Sequence, residues 1–147
     1  MLTYDDLSQI FPKKVKFVNP SMKFLTVSAF AHYPQQKGIF IPLYRHSGEL
    51  KEAIKNGAIG TLWESDSPLP PYTPNHFIVF YTKDIWKDLR IMLEKYEKKL
   101  LNNDDGWYTQ FLLEDSHLHE NNQTIDITRI IETLNTNESE EKSGGRD

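Results

Sequence analysis

GELKEAIKNGAIGTLWES, residues Gly48–Ser65, decides the fold class. Leu50, Ala53 and Ile54 fall at helical spacing and give a short helix one apolar side. Ser47, just ahead of the stretch, is the expected N-cap, because a serine hydroxyl accepts a bond from an unpaired N–H of the first turn. Asn56-Gly57 is the expected stop, since glycine enters the left-handed conformation that closes helices without a Cβ penalty. AIGTLW then reads as a buried strand. A helix that passes into a strand across so short a turn is half of an α/β unit.

Working outward, IFIPL (residues 39–43) is a short apolar run that reads as a buried strand. Pro42 offers no N–H to a ladder, so this strand is expected at a sheet edge or to end there. ESDSPLPPYTPN is a Pro-rich surface loop. HFIVFY is apolar at every position, as strands are in a parallel sheet covered on both faces. Thr82 is the expected cap of a long helix, in which Ile85, Leu89, Met92, Leu93, Tyr96 and Leu100 recur on one side. NNDDG breaks it. Strand, helix, strand and helix thus succeed one another from Ile39 to Leu101, which predicts an α/β class: one small domain with a mostly parallel or mixed sheet flanked by helices.

Ahead of this unit, Thr3 caps a first helix with Asp5 and Asp6 in its positive first turn, and Pro12 ends it. Val15–Val18 and KFLTVSAF are further strand candidates. Beyond it, WYTQFLLED reads as a strand. Ile127, Ile130, Ile131 and Leu134 make a short amphipathic helix, with Asp126 as its cap. NTNESEEKSGGRD has no apolar residue and is expected to be disordered. The predicted organisation is a core of residues 1–102, an extension over 103–134 and a disordered tail over 135–147.

The chain of 147 residues has no cysteine, which excludes disulfides, cysteine-based zinc sites and cysteine nucleophiles. Its formal charge of −4 argues against nucleic acid as a partner. MLTYDDLSQIF carries early acids and no apolar core, unlike a secretory signal, and no apolar run approaches the roughly 20 residues that cross a bilayer. A cytoplasmic location is expected.

Candidate chemistry is sparse. Arg45-His46-Ser47 precedes a helix, where free N–H groups and the dipole favour an anion; the plainer reading is an exposed loop ending in an N-cap. His32, beside Tyr33 and Pro34, reads as a phosphate or sugar contact or as an ordinary surface residue. His117 and His119 share one face if EDSHLHE is a strand, and would then approach one metal; no third ligand has fixed spacing, so a polar loop explains them equally. Asp5-Asp6 and Asp104-Asp105 are explained by caps and turns. No G-x-S-x-G elbow is present. Nor is there a G-x-x-x-x-G-K-[ST] loop to hold ATP phosphates. No cofactor is implied.

The ordered set VSAFAH, KGIFIPL, GELKEAIKNGAIGTLWES and HFIVFYTKDIWKDL resembles the N-terminal domain of the Mur ligases, particularly the two that add the third amino acid and the terminal dipeptide. The resemblance covers roughly Leu2 to Leu101, and AIKNGAIGTLW is its most specific part. It implies a domain that holds the uridine diphosphate end of a cell-wall precursor, here without the family's ATP-binding and C-terminal domains. Phe30, Ala31 and His32 stand where the family has Asp-Ser-Arg, and Tyr44–Ser47 replace its glycine-containing loop. By position, Ser28 offers a hydroxyl, His32 a partial positive charge, Arg45 a diphosphate partner and Tyr44 a base-stacking ring, with His46 and Ser47 beside them. The expectation is a non-catalytic binding protein for a uridine nucleotide or UDP-linked precursor, not an enzyme. The alternative is a protein-interaction or regulatory module that has lost the nucleotide, with Trp107, Tyr108 and Phe111 as its surface.

Overall fold

Neighbouring residues of one strand belong to two different cores. Ile78 and Phe80 pack with Leu62, Ile39 and Val27, while Val79 packs with Phe40, Leu50 and Ala53. Side chains alternate across a strand, so both faces of the sheet are covered, and this is why HFIVFY is apolar throughout. The computed structural model describes residues 1–11, 14–15, 21–102, 106–114 and 127–144.

The elements in chain order are β1 (Leu2–Thr3), α1 (Tyr4–Ile10), β2 (Lys14–Val15), β3 (Lys23–Phe24), β4 (Thr26–Ser28), β5 (Gly38–Phe40), α2 (Leu50–Lys55), β6 (Ala58–Glu64), β7 (Ile78–Thr82), α3 (Ile85–Asn102), β8 (Gln110–Leu112) and α4 (Ile127–Gly144). The main sheet has the order β2-β7-β6-β5-β4-β8. Its five strands from β7 to β8 are parallel, and β2 runs antiparallel at the edge. β1 and β3 form a separate antiparallel pair. One face carries α1, α3 and Leu134 of α4, with Phe11, Leu89, Met92, Leu93 and Tyr96 fully buried. The other carries α2. The fold is thus a small α/β domain with a five-stranded parallel sheet flanked by helices. No helix among the described residues is long and apolar enough to cross a membrane.

The chain steps from β4 through β5 and β6 to β7, always toward one edge. After α3 it returns to lay β8 on the far side of β4. The strand order therefore reverses between β4 and β8. In open α/β sheets ligands sit outside the carboxyl ends of the strands at such a reversal.

Local expectations hold at several places. Thr3 and Asp6 form a reciprocal capping box on α1. α2 ends at Asn56, and Gly57 follows with φ +114°. Others are corrected. Of the two expectations for β5, the edge position is overturned, since β5 is interior, and the ending holds: it stops at Phe40, two residues before Pro42, so the missing N–H interrupts no ladder. The N-cap of α2 is Glu49, without a side-chain bond, because the Ser47 hydroxyl instead accepts from the Tyr44 N–H at 2.9 Å. On α3 the capping side chain is Asp84, whose carboxylate accepts from Lys87 N–H, while Thr82 accepts from Asp84 N–H. β8 belongs to the main sheet, so the segment expected as an extension completes the core layer. The expected disordered tail is also corrected: α4 continues helical to Gly144. Its last turns are held by contacts far away in sequence. Of the strand expected at Val15–Val18, Val15 lies in β2, and residues 16–18 are outside the described residues, as are Asp104, Asp105 and Asp126.

Candidate functional site

Two loops leave the carboxyl edge of the sheet beside the reversal point: residues 29–37 after β4 and residues 41–49 after β5. Backbone bonds join them to the sheet and to each other. Ala29 N–H donates to Leu112 O at 2.9 Å, Ile41 N–H to Ser28 O at 2.8 Å, and Ala31 N–H to Ser47 O at 2.8 Å. Gln35 organises the first loop from inside. It is fully buried, and its amide nitrogen donates to the carbonyls of Phe30 at 2.9 Å and Tyr33 at 3.1 Å. Asn56 donates to Ala31 O at 2.7 Å and so ties the loop to the end of α2. Buried loop carbonyls need such partners, and these side chains supply them.

The six residues expected at the site divide into two kinds. Ser28 and Ser47 are buried and turned inward. The Ser28 hydroxyl donates to Phe30 O at 2.9 Å and accepts from Phe30 N–H at 3.1 Å. Both serines close local turns, the usual work of short hydroxyl side chains in loops. Their hydroxyls are engaged by the Phe30 and Tyr44 backbones.

His32, Tyr44 and His46 do meet, around Phe30, and Arg45 lies between Tyr44 and His46 in the second loop. Tyr44 stacks on Phe30 with ring centroids 5.5 Å apart and planes 16° from parallel. His46 stacks on Tyr44 at 5.3 Å and 18°. His32 and His46 lie 6.0 Å and 5.7 Å from Phe30, and Trp86 meets Tyr44 edge-on at 5.5 Å. His32, Arg45 and His46 are exposed. The result is an aromatic shelf with two imidazoles at its rim, and the exposed Arg45 belongs to the same loop as Tyr44 and His46. Tyr44 is a structural centre of that shelf. Its ring is engaged by three others, so a base arriving from solvent meets the imidazoles first.

The Tyr44 hydroxyl donates to Leu113 O at 2.7 Å and accepts from the Asn137 side-chain amide at 3.0 Å. Its pKa is pushed up to about 12, first by burial and then by the negative charges of Glu114, Glu141 and Glu140, against the opposing bond from Asn137. Next to it, Arg45 N–H donates to the Glu141 carboxylate at 2.7 Å. Arg90 on α3 pairs with Glu138 and also donates to Asn135 at 3.3 Å. The last turns of α4 therefore lie directly over the second loop.

Gln35, Trp86, Asn137 and Glu141 are the residues that sequence reasoning missed. Gln35 sits in HYPQQKG, which looks like any polar loop. Asn137 and Glu141 lie in a stretch without apolar residues, and Trp86 reads only as core. Among the described residues no three His, Asp or Glu side chains converge as metal ligands. His117 and His119 lie outside the described residues. A pocket of about 630 Å³ opens at the opposite, amino edge of the sheet, where Met22, Leu25, Ile59 and Trp107 meet Lys23 and Lys37. It shares no residue with the aromatic shelf. The chain matches no family model, no curated protein and no solved structure.

Proposed function

We propose that this chain is a non-catalytic binding domain for a uridine nucleotide or a UDP-linked cell-wall precursor. The observation that carries the reading is the gathering of His32 and His46 around the Phe30–Tyr44 stack, with the exposed Arg45 in the same loop as Tyr44 and His46, at the carboxyl edge of parallel strands and beside their reversal point. That is where α/β sheets receive ligands. Exposed imidazoles offer flat faces to a base, and a guanidinium offers paired donors to a diphosphate. The uridine part rests on the Mur-ligase-like order of residues from Leu2 to Leu101. With no P-loop in the sequence, the reading assigns retention of the ligand and no bond-making step. The same reading expects the protein in the cytoplasm, where such a precursor is made.

The test is titration of UDP and of UDP-N-acetylmuramoyl peptide into labelled protein, followed by amide NMR. Shifts centred on residues 30–32 and 44–48, weakened about tenfold or more by Arg45→Ala, are expected. Silence at millimolar ligand overturns the reading.

A second reading, a protein-interaction module, is favoured by one observation. Trp107 is 66% exposed and Tyr108 38%. Single exposed apolar residues are ordinary, but two adjacent large rings are a plausible anchor for a partner. Phe111 is not part of it, being packed against Tyr96 at 5.4 Å. Trp107→Ser with Tyr108→Ser should abolish capture of a partner by the wild-type chain; unchanged capture removes this reading.

A further inference from the structure

The shelf already holds an anion of the chain's own making. Glu141 places a carboxylate oxygen 2.7 Å from the Arg45 N–H, and the two residues are 96 positions apart in sequence. We infer that the last turns of α4 are a built-in pseudo-ligand, with Glu141 occupying the position of a phosphate oxygen, so that an incoming diphosphate and the helix compete for the Tyr44–Ser47 loop. This rests on the proposed anion-binding role of that loop and names how the site is regulated.

Three independent features of α4 support it. First, its charges run against its dipole. The first turn carries no acid, whereas Glu138, Glu140 and Glu141 crowd toward the negative end, where carboxylates are unfavourable. Second, the segment Asn135–Gly144 combines Asn, Thr, Ser and Gly residues of weak helix propensity with no apolar side chain. Isolated, it has little reason to be helical. Third, its long-range bonds reach the shelf and its neighbour α3: Asn137 to Tyr44, Glu138 and Asn135 to Arg90, and Glu141 to Arg45. The anchor of α4 lies earlier, at fully buried Leu134 and half-buried Ile131. The helix is therefore firmly seated at one end. At the other it is held by polar bonds, one of them to the Arg45 N–H that a diphosphate would use. A segment of that kind belongs to the low-stability end of a fold, and its displacement needs only an anion that bonds the same N–H better.

The probe is inorganic pyrophosphate, titrated into the full chain with amide NMR and hydrogen exchange as readouts. Glu141→Gln keeps the shape of the residue and removes its charge. Glu140→Gln removes the same charge from an exposed neighbour and is the control for net electrostatics. The expected result has three parts. Pyrophosphate binds E141Q about tenfold more tightly than wild type, as when one charged competitor for an amide is weakened. It binds E140Q within about twofold of wild type. Saturation of wild type accelerates exchange of the amides over Asn135–Glu141 while those near Leu134 stay protected. Equal affinities for E141Q and wild type, unchanged exchange at saturation, or no pyrophosphate binding by any variant overturns the inference. If UDP still shifts residues 30–32 and 44–48, the proposed function survives that failure. If pyrophosphate obeys the competition and UDP does not bind, the anion switch stands and the uridine reading falls.

Discussion

Asn137 donates its side-chain amide to the hydroxyl of Tyr44 at 3.0 Å, across 93 positions of sequence. The same hydroxyl donates to Leu113 O just beyond β8. One phenol thus joins the loop after β5, the end of the last parallel strand and the C-terminal helix. These three meet at the point where the strand order reverses, so the geometry of the shelf and the seating of α4 depend on one group.

Tyr44→Phe keeps the stack on Phe30 and removes both bonds. A net loss of about 2 kcal/mol is expected, at the usual worth of about 1 kcal/mol for each neutral hydrogen bond, together with faster exchange over the last turns of α4. Asn137→Ala should cost a similar or smaller amount. The double variant should cost less than the sum, because both changes delete the same bond. Urea unfolding of the four proteins measures this, and strict additivity would show that the Tyr44–Asn137 bond contributes nothing.

Alkaline pH probes the same group. Burial, with Glu114, Glu141 and Glu140 nearby, raises Tyr44 to about 12 from its ordinary 10. Below pH 10 both folded and unfolded chains keep the proton, and stability does not change on this account. Between about 10 and 12 the unfolded chain releases it while the folded chain holds it. The folded state then binds more protons, so stability falls as pH rises. Chemical unfolding followed at several pH values should show this decline in wild type and a shallower one in Y44F. Burial also raises Tyr4, so tyrosinate absorbance should show late-titrating phenols in wild type and one fewer in the variant.

How far the sequence discloses this molecule depends on whether a residue acts locally. The capping box of Thr3 and Asp6, the stop at Asn56-Gly57 and the doubly buried HFIVFY strand are all readable within a few residues, because caps, left-handed glycines and covered strands impose local composition. The α/β class followed from them. Ser47 misled because two kinds of donor compete for one acceptor: its hydroxyl accepts from the Tyr44 N–H, three residues back, in place of a helix N–H. The C-terminal turns of α4 misled more deeply. Their composition argues against a helix, and what holds them is bonding to Arg45, Tyr44 and Arg90, which lie 45 to 96 positions away. Of the proposed site, that His32, Tyr44 and His46 lie in neighbouring loops was legible from position in the chain; that their rings gather on Phe30 was not. That the two serines face inward was not, since it depends on the Phe30 and Tyr44 backbones.

Acid should unfasten a different joint. Lys99 on α3 donates to Asp6 on α1 at 2.8 Å and also to Met1 O at 2.6 Å. Burial alone would raise the Asp6 pKa; the bonds from Lys99 and Thr3 and the charge of Lys99 outweigh it and hold the carboxyl below its ordinary 3.8. The unfolded chain takes up this proton first as pH falls. The contribution is therefore complete above about pH 4 and is lost as pH drops through the folded value. Asp6→Asn should be less stable than wild type at pH 7, and the gap should narrow toward pH 3. A gap that stays constant with pH would assign the cost to the lost cap alone.

Two glycines with positive φ separate conformational strain from contact. Gly57 has φ +114°, and a Cβ there would stand 2.9 Å from Gln36 Cα and 3.1 Å from Gln35 O. Gly106 has φ +82°, and a Cβ there meets nothing within 4 Å. Alanine at Gly106 should cost about 1 kcal/mol, the backbone term alone. Alanine at Gly57 should cost more, at least about 2 kcal/mol, because backbone atoms must also move. Those atoms belong to the loop that Gln35 organises under His32 and Phe30. Gly57→Ala should therefore also displace the amide resonances of residues 30–36, and Gly106→Ala should leave them in place. Thermal unfolding and amide spectra of the two variants test both halves. Equal destabilisation, with the loop resonances unmoved in each, would mean that the close approach at Gly57 does not position the shelf.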